Sequence, residues 1–102
     1  MEKIFEIESK DNYSMYSETK DDCLMILIRI EPSGWGKYVI EMTKEWCFQF
    51  EKTNTKLFFD KLPGKNRNQS SLLNENFCCS DACEKIKVFC MENGINYSNE
   101  RT

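Results

Sequence analysis

Histidine is missing altogether from this 102-residue chain. Without the one side chain that moves protons near neutral pH, the usual Cys–His and Ser–His nucleophilic machinery and imidazole-based metal sites are excluded. Long apolar runs are missing too. The longest, Cys23 to Ile28, falls far below the ~20 residues a membrane helix needs, so no span is expected. Residues Met1 to Glu8 carry neither a basic leader nor an apolar stretch, and export by a signal peptide is not expected. No P-loop, G-x-G-x-x-G, G-x-S-x-G or kinase pattern occurs, and a paired-carboxylate hydrolase would need a larger scaffold with a deep cleft. The expectation is a protein that is not an enzyme and carries no cofactor.

Glycine and proline are scarce, four and two, whereas cysteine is not, with six. Cys78, Cys79, Cys83 and Cys90 form one cluster, and Cys23 and Cys47 stand alone. A structural zinc site usually shows two pairs at short spacing, and here there is no second pair. Disulfides remain an alternative, but six thiols on a chain expected in the reducing cytoplasm read best as small buried apolar residues, with no bound metal.

With 40% hydrophobic and 13% aromatic residues, the chain has enough apolar bulk for one core. At this length that means a single domain spanning residues 1–102. Period-two alternation dominates the first sixty residues. Phe5 and Ile7 alternate with Glu6 and Glu8. Leu24, Ile26, Ile28 and Ile30 make one face of a second strand, with Met25, Leu27, Arg29 and Glu31 on the other. Apolar on both sides for most of its length, that strand is predicted to be central. Pro32-Ser33-Gly34-Trp35-Gly36 is strong turn chemistry, followed by strands at Tyr38–Met42 and Trp46–Phe50 and a further strand at Lys56–Asp60. Short connections favour an antiparallel meander. Lys61 to Ser71 reads as an exposed loop. Asp81 with Glu84 then forms a capping box, Ala82, Ile86, Phe89 and Cys90 share a helical stripe, and Asn93-Gly94 closes the helix. The predicted fold is α+β: a meander sheet of four or five antiparallel strands, covered on one face by a C-terminal helix at about 81–93.

The net charge of −3 is unevenly spread. Residues 1–31 carry eight acids against four bases, and residues 32–68 carry seven bases against four acids. The acids Glu6, Glu8, Asp11, Glu18, Asp21 and Asp22 form a candidate patch for a basic partner, with Trp35 as an apolar anchor at a glycine-flanked tip. Lys52, Lys56, Lys61, Lys65 and Arg67 are the nucleic-acid-like feature, opposed by a sequence pI of about 5.0.

In size, charge and missing chemistry the chain is similar to a bacterial immunity protein or antitoxin that neutralises a toxin, a nuclease in this case, by occluding its basic site. The same residues would serve a phage-encoded inhibitor of a host defence nuclease, and the rival from another class is a small nucleic-acid binder using residues 52–67. No motif carries the likeness, which is one of physical class.

Overall fold

The computed structural model describes residues 1–8, 11–32, 43–64 and 68–101, with residues 100 and 101 described by backbone alone. Five strands form one open antiparallel sheet in the order β1 (Glu2–Glu8), β2 (Asp11–Lys20), β3 (Cys23–Pro32), β4 (Lys44–Gln49) and β5 (Ser98–Arg101). Three helices, α1 (Lys52–Lys61), α2 (Gln69–Phe77) and α3 (Ala82–Asn93), lie between β4 and β5 in sequence. The α+β meander expected from the alternation is therefore present, and the strand that is apolar on both faces occupies its centre.

Register explains how one sheet serves two environments. Phe5, Met15, Ile28 and Trp46 stand opposite one another on successive strands, as do Ser17, Ile26 and Phe48. Directly opposed residues share a face, and this is the face that meets the helices. Phe5, Met15, Ile26, Ile28 and Phe48 pack into one core with Phe58, Leu73, Phe77, Ile86 and Cys90 from α1, α2 and α3. The opposite face carries the row Lys3, Tyr16, Leu27 and Cys47. No described helix contributes to the packing there.

The helices differ from the sequence reading in instructive ways. Lys56–Asp60, expected as a strand, lies inside α1. Its inward stripe is Thr55, Phe58 and Leu62, all buried, and a threonine at the first position hides the helical period. Pro63 stops this helix, since the residue before a proline is pushed out of the α region and Leu62 has ψ 136°. The expected loop at 61–71 is shortened by α2, whose cap Asn68 accepts from Ser71 N at 2.8 Å. Asp81 does precede α3, but at φ −103° and ψ 27° its side chain makes no cap hydrogen bond, so the capping box is not formed. Gly94 ends α3 as expected, at φ 65°, with its N–H on Cys90 O. Strands β2 and β5 were not anticipated, and the expected strand at Tyr38–Met42 lies outside the described residues.

Only Cys90 of the six cysteines is buried. Cys47, Cys79 and Cys83 are half-buried, and Cys23 and Cys78 are exposed. The expectation of uniformly buried thiols fails at Cys78, which precedes α3, and at Cys23, which opens its strand beside the β2–β3 turn. All six are free thiols. Among the described residues no helix is long and apolar enough to cross a membrane.

Candidate partner-binding groove

The anticipated acidic patch is split by the length of a strand. Glu8 and Asp11 lie at one end of the β1–β2 pair, and Glu18, Asp21 and Asp22 at the other. Seven residues at ~3.4 Å each put Asp11 and Glu18 roughly 24 Å apart. Glu6 and Glu8 share the helix-free face. Glu6 is held by Lys3 at 3.5 Å and accepts from Asn12 Nδ2 at 3.3 Å. Trp35 lies outside the described residues.

The far end is better organised. Asp21 and Asp22 are the two central residues of the β2–β3 hairpin, between the paired Lys20 and Cys23, and both are left-handed, at φ 53° and 63°. A two-residue hairpin with two positive φ values normally uses Asn-Gly. Aspartate tolerates this conformation better than most residues but less well than glycine. The turn thereby trades some local stability for two carboxylates at its tip.

Those two carboxylates point to different grooves. Asp21 joins Glu18 and Glu51 around a groove of about 450 Å³ on the helix-free side, with Lys20 as its one cation and Met25 in its lining. Leu24 and Phe50, hydrogen-bonded one step beyond the last β3–β4 pair, also line it. Asp22 faces α1 and pairs with Lys52 at 3.6 Å in a groove of about 540 Å³ that also holds Lys56, Asp60 and Phe59.

The second groove answers for the basic segment. Lys52 and Lys56 are one turn apart on α1, but Asp22 and Asp60 balance them. Phe58 has no exposed surface and cannot stack on a base. Lys61 lies at the end of α1, lining a different groove with α3, and Lys65 and Arg67 lie outside the described residues. A single-strand binder needs a basic channel with exposed rings; among the described residues Lys52 and Lys56 are offset by two acids and Lys61 lines another groove.

Sequence reasoning missed Glu51 and Met25 as parts of the acidic groove, and Thr55, which lines the groove on the α1 side. Glu51 lies two residues beyond the end of β4 and could be paired with Asp21 only once β3 and β4 were known to be neighbours. Among the described residues no cluster of His, Cys, Asp or Glu suits a metal ion.

No family model matches the chain, and comparisons with curated proteins and with solved structures likewise give no match.

Proposed function

We propose that the protein is a non-catalytic inhibitor that works by contact, occupying the basic site of a partner protein in the cytoplasm as immunity proteins and antitoxins occupy a nuclease. The observation that supports this reading is the groove at the hairpin tip, where Glu18, Asp21 and Glu51 outnumber Lys20 around an apolar floor. An arginine or lysine of the partner would lay its methylene stem along Met25 and present its cation to the carboxylates, which accept charge-assisted hydrogen bonds. The excess of acids on the first thirty-one residues would steer a basic partner and raise the association rate. A nuclease so occupied loses the surface that holds phosphates.

The test is photo-crosslinking in the source cell from a reactive residue at position 25, with position 91 on the exposed face of α3 as control. One basic protein captured from position 25 and not from 91, whose nuclease activity falls to zero at a 1:1 ratio with the inhibitor, supports the reading. Capture from 91 alone, or turnover of a substrate by the isolated chain, overturns it.

A further inference from the structure

The rung beyond the paired Met25 and Gln49 of β3 and β4 is direct on one side only. Phe50 N donates to Leu24 O at 2.9 Å, the normal half of an antiparallel pair. The reciprocal bond, Leu24 N to Phe50 O, is replaced. Leu24 N donates instead to Thr55 Oγ1 at 2.9 Å, and that hydroxyl donates onward to Phe50 O at 3.3 Å. A side chain of α1 is thus spliced into the sheet. Thr55 is only 5% exposed, and both hydrogen-bonding functions of its hydroxyl are used.

The position of this insertion matters. Leu24 lies two residues after the hairpin tip and Phe50 one residue before Glu51, so the rung joins the two walls of the acidic groove. A hydroxyl between Leu24 N and Phe50 O opens that side of the rung beyond a direct bond of about 2.9 Å, while the direct Phe50 N to Leu24 O bond holds the other side. Thr55 N also donates to Glu51 O at 2.8 Å, tying the same residue to the backbone that carries the groove's second wall. We propose that Thr55 is a positioning residue which holds one side of this terminal rung open and so sets the spacing of Asp21 and Glu51 in the acidic groove.

This deepens the proposed function and rests on it for its purpose, though not for its geometry. Thr55→Val keeps the shape and removes the hydroxyl, Thr55→Ala does so without crowding, and Thr55→Ser restores it. Hydrogen exchange of the Leu24 amide, set against that of Ile26, reads the rung. Titration with a tetra-arginine peptide, followed by NMR shifts of Glu18, Asp21 and Glu51, reads the groove. The expected result is a change of about tenfold in Leu24 protection relative to Ile26 in the two hydroxyl-free variants, with peptide affinity reduced at least threefold and both values recovered in Thr55→Ser. Protection that changes equally at every amide would mean a merely structural role and overturn the proposal, as would variants matching the wild type in both readings. A wild-type protein that ignores the peptide sinks the binding role of the groove, while the Leu24 exchange still decides whether Thr55 sets the rung.

Discussion

Phe58 and Phe50 meet with ring centroids 5.0 Å apart at 52°, which joins the first helix to the end of the fourth strand. Phe58 also contacts Phe59, Phe77 and Phe89 at 5.2 to 6.0 Å, so all three helices and the sheet meet around one ring. Tilted and edge-to-face contacts of this kind add to the area term. Phe58→Ala is expected to destabilise the fold by about 3–5 kcal/mol, read as a shift in the urea midpoint without a change in slope. A loss below about 1 kcal/mol would mean that the ring is not central to the core.

The same residue shows why part of the fold was legible and part was not. Alternation in β1 and β3 is readable because their two faces differ or because both are apolar. In α1 the sequence Thr55-Lys56-Leu57-Phe58-Phe59 imitates a strand, since the helical stripe Thr55, Phe58 and Leu62 begins with a polar side chain. That threonine is polar because the sheet needs its hydroxyl at Leu24 and Phe50, a requirement that comes from tertiary structure. Strand β2 was hidden by composition. Its buried positions include Ser14 and Ser17, which give no hydrophobic signal. Of the candidate acids, the cluster at the turn could be read from Asp21-Asp22, but its separation from Glu8 and Asp11 follows from strand length and pairing.

The cysteines make a prediction about alkaline pH. Burial pushes the Cys90 thiol from its ordinary value of 9.0 up to about 12, and burial also raises Cys83. A folded-state value above the unfolded one favours the protonated thiol in the fold, so this stability is fully present below pH 9 and is lost as pH rises towards 12. Unfolding free energy measured between pH 8 and 11 should decline, and Cys90→Ala should flatten the decline. An unchanged slope in that variant would contradict the assignment.

Accessible thiols should separate by kinetics. Cys23 and Cys78 are exposed and Cys90 is fully buried, so a chromogenic thiol reagent should label two cysteines at once in the native protein and Cys90 only on unfolding. Six equal rates would argue against the packing of α3 described above.

The hairpin tip should respond to ionic strength in a position-dependent way. Because the Asp22–Lys52 pair is largely exposed on both sides, breaking it with Asp22→Asn should change stability by less than about 1 kcal/mol. A larger loss in thermal unfolding would show that the pair anchors the tip to α1.

The claim on which the account turns is that carboxylates at one end of the sheet meet a basic partner. Association of the crosslinked partner with the wild type, with a Glu18→Lys, Asp21→Lys double variant and with Glu8→Lys at the opposite end tests it directly across a salt series. Tenfold or slower association and a shallower salt dependence in the double variant, with a much smaller change for Glu8→Lys, is the predicted result. Equal rates and equal salt slopes for all three proteins would contradict it.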